Sequence, residues 1–243
     1  MQRLQAWYGT ALGQRVAAAE GAALGEVLAD LGIGDVVRIG PGPRRLPLAP
    51  NVRQWCAHEG GDLLLAPEQL PFRGQSLEGL ILAHVLEFTS EPVAVLAEAY
   101  QALRPEGRLI VLGFNPLGWW GMYRLWGRWR SDAPPWCGRQ QTASAVGVRL
   151  RRAGFQPLAV HFLCFRPPLQ GSALQKRLDP WEDIGRRFGR LAAAVQMTVA
   201  CRREPGGVDG TGLMERAGQR LPVRGAQPVG CEAAYRGKRG GGE

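Results

Sequence analysis

LPFRGQSLEGLILAHVLEFTSEPVAVLAEAYQALRPEGRLIVL, residues 70–112, decides the fold. Leu80, Ile81 and Leu82 form an apolar run that reads as a buried strand. His84 and Glu87 then supply a polar turn, and a helix follows from Ser90 or Glu91, with Pro92 at its first position. Val93, Leu96, Ala97, Tyr100 and Leu103 give that helix its apolar stripe. A Pro-Glu-Gly turn leads into a second buried strand at Leu109, Ile110 and Val111. Two continuously apolar strands joined by an amphipathic helix make a βαβ unit of a parallel sheet. Ligands on such sheets lie at the carboxyl ends of the strands, so function is sought around His84, Glu87 and the residues after Val111.

Upstream, Leu4, Trp7, Tyr8, Leu12 and Val16 recur at helical spacing, predicting a first helix over residues 1–20. Leu24, Val27, Leu28 and Leu31 predict a second helix ending at Gly32. Val36–Ile39 reads as a strand running into Gly40-Pro41-Gly42-Pro43, where glycine permits close backbone approach. A short strand is expected at Val52–Cys56 and an apolar run at Leu63–Leu65. Downstream, a polar helix is expected over Ala143–Ala153, then strands at Leu158–Phe165 and Ala193–Ala200. From Glu204 onward Gly, Arg and Pro prevail without periodicity, the composition of a disordered tail.

The chain of 243 residues carries a formal charge of +9, and Lys176 and Lys238 are the only lysines among its 30 basic residues. Such a charge suits an anionic partner, RNA or a membrane surface, or equally a solvated surface with a basic tail. No apolar run is long enough to span a bilayer, and no secretory leader is expected. Cys56, Cys137, Cys164, Cys201 and Cys231 show neither CxxC nor Cys/His spacing, so neither a disulfide framework nor a metal site is expected. A cytoplasmic setting follows. Cys137 and Cys164 have no evident paired base and read as incidental thiols.

The glycine turn at Gly40 and Gly42, Leu70-Pro71-Phe72, LILAHVLEF and LRPEGRLIVL together resemble the class I S-adenosylmethionine-dependent methyltransferases, in particular the type 11 domain family. The resemblance is close over residues 70–114 and extends over about 24–204. It implies a doubly wound, mostly parallel seven-stranded Rossmann-like α/β sheet with a shortened first half. Residues 1–23 then form an N-terminal helical segment, 24–204 the methyltransferase-like domain, and 205–243 a basic tail. S-adenosylmethionine is the implied cofactor. By the same resemblance Gly40 and Gly42 lie under its methionine part, Gln69 and Leu70 beside its adenine, and Ala83 at the end of the strand facing the methyl group. His84, Asn115 and Trp119 would face an unidentified acceptor. His84 reads either as a base or polar contact, or as a strand-end residue bonded to backbone. Glu87 reads chiefly as an anchor of the following helix.

Several positions depart from the family pattern. Arg38 stands where an acid normally precedes the first glycine by two residues, and Arg44 replaces the third glycine. The ribose-holding acid at the end of the second strand has only Glu59 as candidate, and Ala66 replaces the acid before Leu70. Pro47 and Pro50 oppose a helix after the glycine turn. The stretch from Gly42 to Pro71 is too short for the usual helix–strand–helix. These departures weigh the enzyme reading against a methyltransferase-like binding or regulatory module. In GFNPLGWWGMYRLWGRWR, Trp119, Tyr123 and Trp126 share a helical face flanked by arginines. A substrate lid, an interfacial helix, an RNA-stacking surface and an ordinary core stripe all fit segment 119–130.

Overall fold

The computed structural model describes residues 2–43, 45, 46, 48, 50–58, 61–118, 120, 121, 138–165 and 191–203. Two helices open it, α1 (Gln2–Tyr8) and α2 (Ala11–Asp30). The break falls at Gly9–Thr10 rather than near residue 20, and α2 crosses residue 23 uninterrupted. Local chemistry explains the position. The Thr10 side chain accepts from Gly13 N at 3.1 Å and caps α2. A Cβ at Gly13 would lie 2.2 Å from Trp7 O, so only glycine lets α1 fold back so tightly. The alanine-rich stretch beyond has no residue that would end a helix before Leu31.

The sheet contains β1 (Asp35–Ile39), β2 (Arg53–Ala57), β3 (Leu77–Ala83), β4 (Leu103–Phe114), β5 (Phe155–Leu163) and β6 (Val195–Arg202), in the order β2-β1-β3-β4-β6-β5. The first four are mutually parallel. β6 runs antiparallel to both β4 and β5, which is the closing pair expected from the sequence. Six strands, not seven, are present among the described residues. Residues 58–76 between β2 and β3 leave no room for the missing outer strand with flanking helices, and among the described residues no helix lies between the glycine turn and β2.

Three further helices lie among the described residues: α3 (Val85–Phe88), α4 (Pro92–Ala102) and α5 (Ala143–Arg152). Val36, Ile81, Ile110 and Leu112 pack against α1 and α2 on one face of the sheet. Val37, Leu80, Leu82, Leu109 and Val111 pack against α4 and α5 on the other. Burial on both faces is why these strands read as unbroken apolar runs. The expected Pro-Glu-Gly turn is instead an irregularity inside β4, with Glu106 at φ 60° and the β3 pairing shifting from Leu103 to Arg108. The register Ile39↔Leu82↔Val111 aligns the carboxyl ends, so Gly40, His84 and Gly113 emerge along one edge.

Candidate functional site

The loop after β1 owes its shape to two glycines at positive φ, Gly40 at 111° and Gly42 at 138°. A Cβ at Gly40 would sit 2.1 Å from Ala83 O, so the adjoining β3 end already demands glycine there. A Cβ at Gly42 would sit 2.6 Å from Arg38 Nη1. Arg38 is 2% exposed and curls beneath the loop. It donates to Pro41 O at 3.0 Å, to Gly40 O at 3.5 Å, to Pro43 O, and to Cys56 Sγ at 3.5 Å. Loop carbonyls therefore do the work of a counter-charge, which is how a buried guanidinium is tolerated. From above, Gln5 of α1 clamps the same loop: Gly42 N donates to Gln5 Oε1 at 2.9 Å, and Gln5 Nε2 donates to Gly42 O at 3.1 Å.

Beside the loop lies a buried polar cluster. His84 is fully buried, in the left-handed region at φ 54° and ψ 20°. Its Nδ1 is 3.0 Å from Glu87 Oε2, and its Nε2 is 2.9 Å from Glu20 Oε1. A carboxylate against each ring nitrogen calls for a donor on each, so the ring is an imidazolium. Burial pulls the His84 pKa down, but Glu20 and then Glu87 outweigh it and raise it to about 9. The Glu87 pKa is raised by burial, against the opposing pull of His84. Glu87 Oε1 also accepts from Phe114 N at 2.7 Å. Tyr8 donates to Glu20 at 3.0–3.1 Å, and burial followed by Glu20 holds its hydroxyl well above the ordinary range. Aromatic rings roof the cluster: Phe114 lies 4.2 Å from the His84 ring, and Trp7 meets Phe114 at 5.9 Å and Trp120 at 6.1 Å, both edge-on.

The sequence-derived residues fall around this edge in unequal ways. Gly40, Gly42, Ala83 and His84 are brought together. Leu70 is near the α4 side, its N–H donating to Glu98 Oε2 at 3.0 Å. Gln69 is exposed, with its N–H on Ala66 O at 3.1 Å. Asn115 is buried and closes a turn, donating to Ala193 O at 3.0 Å and accepting from Leu117 N at 3.1 Å. Trp119 and most of segment 119–130 lie outside the described residues, as do Arg44, Pro47, Glu59, Cys137 and the tail. Glu87 does anchor its surroundings, through His84 and Phe114 rather than by capping a helix. Sequence reasoning missed Gln5, Tyr8 and Glu20. Glu20 had left a trace: it sits midway between Val16 and Leu24, four residues from each, on the buried face of α2.

The glycine turn keeps to the family pattern for S-adenosylmethionine, and three features around it depart from that pattern. That cofactor is a sulfonium bearing an ammonium, and the group under the loop is the Arg38 guanidinium. The peptide of Gly42 is already paired with Gln5. β2 ends in Ala57, followed by His58, in place of a ribose-holding acid.

Comparison with known proteins places the chain. Residues 20–111 match the Methyltransf_11 family, described as a methyltransferase domain. An S-adenosylmethionine-dependent methyltransferase of Thermotoga maritima superposes with a TM-score of 0.51 at 17% identity, over 84% of this chain and all of that one. A Bacillus halodurans protein assigned as a methyltransferase superposes with a TM-score of 0.53 at 14% identity, over 76% of this chain and 99% of that one. In sequence, the chain is 37% identical over 59 residues to the uncharacterized Escherichia coli protein YafS, a match spanning only a quarter of that protein. Among the described residues no helix is long and apolar enough to cross a membrane. Residues 20–111 are thus similar to the type 11 methyltransferase domain family, and the sheet shares the fold of these two methyltransferase structures.

Proposed function

We propose that the protein is an S-adenosylmethionine-dependent methyltransferase, with the cofactor site at the loop 40–43 and the acceptor site above the carboxyl ends of β3 and β4. The observation that carries this reading is a coincidence of place. The family match ends in β4, and within it the glycine turn, the β3 end and the polar cluster converge on the one edge where ligands of such sheets bind. The cofactor, when bound, supplies an electrophilic methyl group for an O, N or C nucleophile of the acceptor.

This chain's own residues constrain the rest. His84, with both nitrogens donating to carboxylates, has no lone pair free to accept a proton. It orients Glu20 and Glu87 and fixes the floor of the site, so the acceptor's proton must leave by another route. Phe114 and Trp120, stacked with ring centroids 6.4 Å apart, give the site an apolar side that favours an acceptor with an apolar or aromatic portion.

Calorimetric titration of the full chain with S-adenosylmethionine and S-adenosylhomocysteine tests the reading, with micromolar binding of either as the expected result. The Arg38 guanidinium under the loop favours a second reading, a binding module that keeps the fold without turnover. Silence of the protein at millimolar cofactor, including variants in which α1 is loosened, would establish the module and remove the enzyme.

A further inference from the structure

One of the departures around the glycine turn, the pairing of the Gly42 backbone with Gln5, belongs to α1 and not to the sheet. We propose that α1 is a built-in plug, in which Gln5 occupies the peptide of Gly42 and a ligand enters only when α1 lifts away. This inference rests on the methyltransferase reading of the same site.

Three observations support it. The Gln5 carboxamide makes a two-way pair with Gly42, donating to its O at 3.1 Å and accepting from its N at 2.9 Å across 37 residues of chain. It thus satisfies both backbone groups of Gly42. Second, α1 has only seven residues, too few to hold a helix on their own. Its place depends on docked side chains: Leu4 and Tyr8 in the core, and Trp7 edge-on to Phe114 and Trp120. Third, the division at Gly9–Thr10 separates α1 from the twenty-residue α2, whose Glu20 is tied to His84 at 2.9 Å. When α1 lifts, Tyr8 leaves Glu20, but the Glu20–His84–Glu87 tie keeps α2 on the sheet. The fold therefore has a short part over the loop, held by docked side chains, and a longer part behind it, tied to the sheet through buried charges.

The test uses the full chain with S-adenosylhomocysteine as probe. Affinity is measured by calorimetry for the wild type, Gln5→Ala and Trp7→Ala, and hydrogen exchange is followed at residues 2–8. If the closed state dominates, removing its contacts raises the competent fraction, and both variants bind about tenfold more tightly. The probe also speeds exchange in α1 of the wild type. Equal affinity in all three proteins, with α1 exchange unchanged by the probe, overturns the plug and leaves the methyltransferase reading standing. No binding by any of the three overturns both.

Discussion

His84 joins the sheet to both of the buried acids around it, and its removal has a calculable consequence. Without it, Glu20 and Glu87 remain buried with no cation between them. Breaking a buried ionic network in this way costs roughly 3–5 kcal/mol. His84→Ala is therefore expected to lower the urea midpoint far more than a surface substitution would. The same residue sets a pH dependence. Its folded pKa of about 9 lies above the ordinary 6.5, so the folded protein holds a proton that the unfolded chain releases. The stabilisation is complete below pH 6.5 and is lost as pH rises through 9, an effect on the order of 3 kcal/mol. Glu87, also raised, pushes in the same direction, since ionising it costs the fold. Urea midpoints should fall between pH 6.5 and 9.5, and His84→Gln should flatten that slope. Midpoints of the wild type that rise over this interval would refute the assignment of an imidazolium. The position of His84 at a strand end was legible in the sequence. Its partnership with Glu20 was not, because 64 residues separate them and only the docking of α2 brings them together.

At the level of elements, the glycine turn and the first helices carry the predictions. Gly40→Ala would place a Cβ 2.1 Å from the Ala83 carbonyl at a positive φ. Such overlap, which neither backbone can relieve, costs several kcal/mol, of order 3 or more. The variant should be recovered mainly as insoluble protein. Thr10→Ala removes the cap of α2 and should cost about 1 kcal/mol in denaturant unfolding, with faster amide exchange at Gly13. Strand positions were readable wherever both faces are buried, because β3 and β4 are apolar without alternation. Element ends were less so. The helix break at Gly9–Thr10 was hidden by apolar spacing that continues in phase across it, and the β4 irregularity looked like a turn because Pro-Glu-Gly suits either. The filled space under the loop could not be read, since the partners of Arg38 are carbonyls that the turn itself creates.

Across the molecule, the topology followed from one βαβ unit and the shortened first half followed from chain length. The loss of an outer strand was foreshadowed by too few residues between Gly42 and Pro71. That loss moves β2 to the rim of the sheet. Trp55 on it is 50% exposed, and Arg53, on the same side of the strand, has a side chain 75% exposed and paired to Asp35 at 2.6 Å. Asp62 and Leu63 already bond the backbone of Cys56, so the part of this rim open to another polypeptide is its start, around Arg53–Trp55, where a long charged side chain is a common guard against such pairing. Arg53→Val would leave that flank uncharged beside a bare indole. Light scattering at rising concentration should then report self-association that the parent protein resists, because the sheet would have lost the sentry that keeps neighbouring molecules from stitching onto it.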